Sequence, residues 1–271
     1  MMKPKERCLS HHRYGVALVP LSLDLHDDSM LFIAASQINR GGPLLVKDAE
    51  QAVLIANLNL NAGTKAMKMS DFTSAYSFFR SGISFLPGNH WSDHYSLSLS
   101  LFESAAKCAT VIGKVDCFNI LSQQIIDNTN SFEDKLETFY LTIDTLANAN
   151  QPLEAIEKGN IVLSELGEEL PEVSCPGTVT MVYVEQTKML LRGLADSDLI
   201  GYRSMKEKST LMAMKLYARL EAVYHVVKPG KFLCALWAEE SLKIIIATHI
   251  MTLIIRHPAL CDYENGSAVH C

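Results

Sequence analysis

Three side chains that could bind a metal ion or transfer a proton lie close together in the sequence: His90, Asp93 and His94. A His-x3-His spacing on a helix places both imidazoles on one face, as in many zinc proteases. Those enzymes place a catalytic glutamate directly after the first histidine, whereas Trp91 holds that position here. Ser92 and Asp93 are instead typical of a helix N-terminus. We therefore predict capping and surface roles for this cluster and no metal site.

Other catalytic motifs are also incomplete. A phosphate-binding loop needs Gly-x4-Gly-Lys-Ser/Thr, but Gly41-Gly42-Pro43 lacks the lysine, and its proline removes a backbone donor. The sequence contains neither a Gly-x-Ser-x-Gly nucleophile elbow nor the kinase signatures. Ser–His–Asp or Cys–His groups can still meet in three dimensions. We predict no catalytic residue and no cofactor, and keep a small helical hydrolase as a remote alternative.

Charge, cysteine content and hydropathy argue against further classes of function. The 30 acidic and 24 basic residues give a net charge of -6, so we expect no nucleic-acid partner. The seven cysteines are scattered without any Cys-x2-Cys pair, which suits the reducing cytoplasm. Pro20 and Asp24 interrupt the apolar run 16–25, and the run 244–255 is about twelve residues long. Neither a signal peptide nor a membrane span is expected.

Two charged clusters could form binding surfaces. One is basic, with Lys65, Lys68 and Arg80 as a patch on the first helix pair. The other is acidic and is typical of a solvated helix face, with recruitment of a basic peptide as the alternative. The acidic cluster consists of Glu154, Glu157, Lys158, Glu165, Glu168, Glu169 and Glu172.

Helices are expected to carry these residues, because apolar residues recur at intervals of three and four between about residues 48 and 167. The segments 1–26 and 259–271 are predicted to be poorly ordered. Turn signals divide the periodic stretch into six predicted helices near 48–69, 71–86, 92–111, 114–128, 131–149 and 152–166. Further helices are predicted near 178–193, 208–227 and 231–255.

Small and aromatic residues recur at the positions that a tetratricopeptide unit uses. Copies begin at Asn59, Phe102 and Phe139, with offsets of 102 − 59 = 43 and 139 − 102 = 37 residues. The small residues let neighbouring helix backbones approach, and the aromatic rings fill the spaces beside them. The predicted structural repeat positions are Gly63, Ala66, Ala75, Phe79, Gly82, Pro87, Phe102, Ala105, Ala106, Phe139 and Ala155.

Four segments follow one another along the chain: Leu31-Phe32-Ile33 with Gln37-Ile38-Asn39-Arg40-Gly41, Leu58-Asn59-Leu60-Asn61-Ala62-Gly63, Ala75-Tyr76-x2-Phe79-x2-Gly82, and Trp91-x3-Tyr95-x3-Leu99-x2-Phe102. Their order resembles the helical region that follows the ATPase module in large predicted-ATPase signalling proteins. The resemblance covers residues 28–170 and, more loosely, 205–250. It implies a helical array that elsewhere follows a kinase-like domain and an AAA-type ATPase domain, often before histidine-kinase modules.

These observations predict an all-α fold, a tetratricopeptide-like α-solenoid of antiparallel helix hairpins. The array covers 27–170, and further hairpins over 171–258 pack on it. The expected function is a non-catalytic protein-protein interaction scaffold whose concave groove comes mainly from the first helix of each pair. Its partner is a protein, a peptide or a neighbouring ATPase/kinase domain. The alternative is a fragment that acts as a signal-relay segment of an ATP-dependent kinase or ATPase.

Overall fold

A computed structural model describes residues 3–24, 28–168, 185, 188, 189 and 207–227. In this part of the chain all regular structure is helical, which confirms the all-α prediction. None of the described helices is both long enough and apolar enough to cross a membrane. The α-helices are α1 (Pro4–Asp24), α2 (Asp28–Gly41), α3 (Ala49–Lys68), α4 (Phe72–Phe85), α5 (His90–Asp93), α6 (Tyr95–Val111), α7 (Val115–Asn128), α8 (Phe132–Asn148), α9 (Pro152–Glu165) and α10 (Lys208–Val227).

The chain divides into two compact units, Met1–Leu141 and Thr142–Cys271. In the first unit, consecutive helices pack on each other: α1 on α2, α2 on α3, α3 on α4, α4 on α6 and α6 on α7. In the second unit, α9 packs on α10. Consecutive packing of this kind is typical of helix-pair proteins, because short connections keep neighbours in sequence adjacent in space.

From α3 onward the helix positions lie close to the predicted ones, with one interruption, whereas α2 lies in a segment for which the sequence predicts no separate helix. The predicted helix 92–111 is divided into the short α5 and the longer α6, because His94 has a non-helical backbone (φ −133°, ψ 45°). Helix α10 has the bounds predicted from its apolar stripe. Of the predicted helix 178–193 only residues 185, 188 and 189 are described, and 231–255 lies outside the described residues.

Helix α1 occupies most of a segment, 1–26, that the sequence predicts to be poorly ordered. Two glycines allow α1 and α2 to approach closely. A Cβ atom on Gly15 would lie 2.7 Å from Cγ1 of Ile38, and one on Gly41 would lie 2.7 Å from Cβ of His12. The structure differs from the prediction because these contacts with α2 stabilise the segment, and the pattern within α1 does not reveal them. The predicted disordered tail lies outside the described residues.

Four helices end in the same hydrogen-bonded turn. One residue in each turn has a positive φ, and the N–H of the next residue donates to a carbonyl oxygen five residues earlier, over 2.8–3.0 Å. This is the Schellman motif, which pairs carbonyls that the end of a helix would leave free. The positive-φ residues are Ser70 (63°), Gly113 (73°), Asn150 (61°) and Gly167 (83°), which follow α3, α6, α8 and α9.

In three places two helices that follow each other in sequence, here called a sequence pair, are joined by a turn of the same length. The pairs are α3–α4, α6–α7 and α8–α9, with turns at residues 69–71, 112–114 and 149–151. The second helix has 14 residues in every pair. Connections between pairs differ: residues 86–94 join α4 to α6, and residues 129–131 join α7 to α8. This difference of 9 − 3 = 6 residues equals the difference between the repeat offsets, 43 − 37 = 6. Unequal spacing of the copies therefore comes from the connections, since α6 and α8 both have 17 residues.

Small residues face large ones in the core of the first unit. A Cβ atom on Gly63 would lie 2.4 Å from Cε1 of Phe79, whose side chain is fully buried. Similarly, a Cβ atom on Gly82 would lie 2.8 Å from Cδ2 of Leu101 in α6. Most of the predicted repeat positions are buried: Gly63, Ala66, Ala75, Phe79, Gly82, Phe102, Ala105, Ala106 and Ala155; Pro87 and Phe139 are half-buried.

A reciprocal pair of amide hydrogen bonds joins α2 to α3. Asn39 Nδ2 donates to Asn59 Oδ1 at 2.7 Å, and Asn59 Nδ2 donates to Asn39 Oδ1 at 3.0 Å. Asn59 Nδ2 also donates to the carbonyl oxygen of Ile55 at 3.0 Å. Asn59 is fully buried, so these bonds offset the cost of burying its amide.

Candidate functional site

The cluster that sequence analysis considered for metal binding has structural contacts of its own. His90 Nδ1 lies 2.9 Å from Ser98 Oγ, and the His90 ring stacks on Phe102 with 5.8 Å between centroids. Burial, with a smaller effect from His94, lowers the pKa of His90. Asp93 is exposed. The described residues contain no group of three or more His, Cys, Asp or Glu side chains that could hold a metal ion.

Helix α4 presents a row of short hydroxyl side chains. Ser74, Ser77, Ser81 and Ser84 are three, four and three residues apart, so they lie along one face of the helix. Serine favours helix formation less than alanine or the long charged residues do. Helix formation therefore does not explain this row. The buried side of α4 carries Ala75, Tyr76, Phe78, Phe79, Gly82 and Phe85.

Two depressions of the first unit adjoin along this row. Ser77 and Ser81 line both depressions, and we call the combined surface the serine trough. The depression between α2 and α4 has a volume of about 370 Å³ and is lined by Ser36, Asn39, Arg40, Ser74, Ser77, Phe78 and Ser81. The depression between α4 and the turn before α7 has a volume of about 430 Å³ and is lined by Thr73, Tyr76, Ser77, Arg80, Ser81, Ser84 and Lys114.

The hydroxyls at the middle of the trough are available for a ligand. Ser74 donates hydrogen bonds to the carboxylate of Asp71 from its side chain and from its backbone N–H, the latter over 3.0 Å. Asp71 caps α4, and these bonds lower its pKa. The Ser84 hydroxyl donates to the carbonyl oxygen of Ser81 at 2.7 Å. By contrast, the hydroxyls of Ser77 and Ser81 have no hydrogen-bond partner among the described residues. Each can donate one hydrogen bond and accept others.

Three cations surround these hydroxyls: Arg40, Arg80 and Lys114. All three are exposed, and none forms a salt bridge with a carboxylate in the part of the chain that the structure describes. None of the described side chains that line the trough is acidic. The trough therefore has a local positive charge within a chain whose net charge is -6.

The amine of Lys114 lies against the aromatic ring of Tyr76. Its Nζ lies 4.8 Å from the centre of the Tyr76 ring, within the range of a cation–π interaction. Burial, followed by a hydrogen bond with Cys117, raises the pKa of Tyr76 to about 12. The phenol therefore stays neutral near pH 7, and its ring faces the lysine in a single protonation state.

The three residues of the basic patch predicted from sequence have different surroundings in the structure. Lys65 pairs with Asp28, which joins α3 to α2, and Lys68 is exposed at the end of α3. Of the predicted patch only Arg80 lines the trough. The serine spacing on α4 could have been read from the sequence. The contributions of Arg40 and Lys114 could not, because they depend on which elements lie beside α4.

The acidic cluster remains on an exposed helix face. Glu154, Glu157 and Glu165 are exposed on α9, and Lys158 lies 4.0 Å from Glu154. Glu168 accepts a hydrogen bond of 2.9 Å from the hydroxyl of Tyr217 in α10. Exposed charges of this kind are typical of a solvated surface. The remaining members, Glu169 and Glu172, lie outside the described residues.

A smaller depression of about 210 Å³ lies in the second unit beside Arg219 of α10. Arg219 Nε is 2.6 Å from Asp144 Oδ1, and Nη2 donates to Asn148 Oδ1 at 2.7 Å. These bonds neutralise the guanidinium group within the unit. The cations of the serine trough form no salt bridge among the described residues, so the trough is the stronger candidate for binding.

The trough does not lie where the sequence predicts a groove. The sequence predicts a concave surface built mainly from the first helix of each pair, whereas the trough is lined by α2, α4 and the turn before α7.

Comparisons with protein-family models, with curated proteins and with solved structures find no match for this chain.

Proposed function

We propose that this chain is a non-catalytic protein–protein interaction scaffold and that the serine trough binds a segment of its partner. The observation that carries the proposal is the pair of adjoining depressions. Their central hydroxyls have no hydrogen-bond partner, and their surrounding cations form no salt bridge, among the described residues. Polar groups held on packed helices, with their bonding capacity free, suit the recognition of a polypeptide more than they suit stability.

The chemical types in the trough also favour binding over catalysis. The described lining residues offer hydroxyl, amide, guanidinium and amine groups, together with two aromatic side chains that are largely buried. General acid–base catalysis at neutral pH usually depends on histidine or on a carboxylate with a shifted pKa. Hydroxyls and cations instead form hydrogen bonds and attract anionic groups, which is the chemistry of recognition.

The resemblance to the helical region of large predicted-ATPase signalling proteins supports the same role. In those proteins the helical array lies next to ATPase and kinase-like domains. We propose that the natural partner of the trough is either a separate protein or such a neighbouring domain. Contact through packed helices is the common use of helical repeat surfaces.

A trough-filling variant tests this function. Ser77→Trp with Ser81→Trp would place two indoles in the depressions while leaving the buried face of α4 unchanged. Ser96→Trp is the matched control, because Ser96 is an exposed serine of α6 outside the trough. The measurement is affinity capture of proteins from lysates of the native host cells, identified by mass spectrometry.

We expect specific partners to be captured by the wild-type chain and by the Ser96→Trp control, and to be lost with the double tryptophan variant. Circular dichroism and thermal melting must show that all three proteins fold alike. An unchanged set of captured proteins on the double variant would reject the trough as the binding surface.

A further inference from the structure

We infer that the segment bound in the serine trough is an extended acidic peptide, whose carboxylates contact Arg40 on one side and Arg80 and Lys114 on the other. This inference rests on the proposed scaffold function and specifies the chemistry of its partner. It depends on three features of the trough: the sign of its charge, its length, and the free hydroxyls at its centre.

The distribution of charge favours an anionic ligand. Three exposed cations line the trough without a salt-bridge partner among the described residues, and no acidic side chain lines it there. The chain as a whole carries a net charge of -6. An acidic segment is therefore repelled by most of the protein and attracted by this surface, which gives orientation as well as affinity.

The dimensions favour a short extended segment. Ser74 and Ser84 are ten residues apart on α4, so the serine row is about 15 Å long at 1.5 Å per residue. An extended chain advances about 3.3 Å per residue, so about five residues fit along the row. Serine side chains are short, which leaves room for a peptide backbone to lie close to α4.

The free hydroxyls complement the backbone and the carboxylates of such a segment. Ser77 and Ser81 lie where the two depressions meet and can donate to peptide carbonyl or carboxylate oxygens. Arg40 and Arg80 can each bind a carboxylate with two parallel N–H donors. Lys114 is already oriented by the ring of Tyr76, so less freedom is lost when it binds an anion.

The same features disfavour a nucleic acid as the occupant. Single-stranded nucleic acids bind through exposed aromatic rings on which bases stack, together with a long basic groove. Tyr76 and Phe78 are the aromatic residues that line the trough, and each is only 8% exposed. Three cations are also few for a ligand whose affinity comes mainly from many phosphate contacts.

Fluorescence anisotropy with the full chain tests the inference. The probe is a fluorescein-labelled peptide of eight glutamates, compared with a labelled peptide of eight glutamines and a labelled oligothymidylate of eight nucleotides. We expect saturable binding of the glutamate peptide alone, weakened by added salt because the contacts are ionic. Each of Arg40→Glu, Arg80→Glu and Lys114→Glu should weaken that binding on the order of tenfold or more.

Lys47→Glu is the matched control. Lys47 is exposed in the segment before α3 and does not line the trough, yet the substitution makes the same change in net charge. We expect this variant to bind the glutamate peptide within about twofold of wild type, because the exposed charge lies outside the contact surface. Equal losses in the control and in the trough variants would show that only net charge matters and would overturn the inference.

The outcomes also separate this inference from the proposed function. Preferential binding of the glutamine peptide or of oligothymidylate would overturn the acidic ligand. The acidic ligand would also be overturned if no peptide binds while the Ser77→Trp and Ser81→Trp variant still loses its captured partners. In that case the proposed scaffold function would stand. If partner capture is unchanged in that variant, the proposed function itself fails.

Discussion

At the scale of single residues, the absence of a side chain allows close packing between helices. Gly63 lies against the fully buried ring of Phe79, and the missing Cβ is what allows α3 to approach α4 this closely. Replacement by alanine would gain about 1 kcal/mol of helix propensity. The Phe79 ring is fully buried and would have to shift, so we expect the steric repulsion to exceed that gain.

We predict that Gly63→Ala destabilises the protein by about 1–3 kcal/mol, because the added methyl overlaps the Phe79 ring. Urea denaturation followed by circular dichroism measures the effect. Gly88→Ala is the control, since a Cβ atom there meets nothing within 4 Å. Equal stability of Gly63→Ala and wild type would show that the helices can separate without cost.

His90 gives a prediction about pH. Burial lowers its pKa in the folded protein below the ordinary value of 6.5, so the unfolded chain binds the proton more readily. The free energy of unfolding should therefore fall as pH drops through about 6.5 toward 5. His90→Phe keeps a ring beside Phe102 but cannot titrate, so its stability should depend less on pH over this window. Thermal melts across the window compare the two proteins, and identical slopes would contradict the assignment.

At the scale of elements, the conformation of the turns that end four helices depends on the residue type at one position in each turn. Each Schellman turn needs one residue with positive φ, and glycine adopts that conformation most easily. Gly113 and Gly167 meet this need, whereas Ser70 and Asn150 hold the same conformation with side chains. Serine is the less suited of the latter two, because asparagine tolerates the left-handed region better.

We predict that Ser70→Gly stabilises the protein by about 0.5–1 kcal/mol, because it relieves the strain of a positive φ. Gly113→Ala should destabilise it by about 1 kcal/mol for the opposite reason. Chemical denaturation of both variants checks the pair. Changes of the same sign in the two turns would mean that φ is not the controlling variable.

Most of this helical layout could be predicted from the sequence, because the relevant signals are local. Apolar periodicity places α3, α4, α6, α7, α8, α9 and α10, and the positive-φ residues lie at turns that the sequence identifies. No local signal predicts the division at His94, and the order of α1 depends on its tertiary contacts with α2. The serine trough was missed for the same reason, since Arg40 and Lys114 reach it from elements far from α4 in sequence.

At the scale of the whole molecule, α1 is part of the first compact unit. It packs on α2, where Ala34, Ala35 and Ile38 are at most 1% exposed. Removal of α1 would expose apolar surface of α2 to water, which is unfavourable in proportion to the area exposed. The N-terminal segment should therefore contribute to stability.

We predict that deletion of residues 1–26 lowers the melting temperature by more than about 5 °C and promotes aggregation. Differential scanning fluorimetry and size-exclusion chromatography measure both effects. Gly15→Val should act in the same direction, because its side chain would overlap Ile38 at the α1–α2 contact. An unchanged melting temperature after the deletion would show that this segment does not stabilise the protein and would contradict the prediction.

The turns within the sequence pairs have one length, whereas the connections between the pairs differ in length. This difference indicates where the chain can gain or lose residues. Residues 69–71, 112–114 and 149–151 are each held by a closed pattern of backbone hydrogen bonds, so an added residue would break that pattern. The connections at 86–94 and 129–131 already differ by six residues. Insertions and deletions in descendants of this gene should therefore accumulate between helix pairs, and engineered tags or reporter loops belong there too.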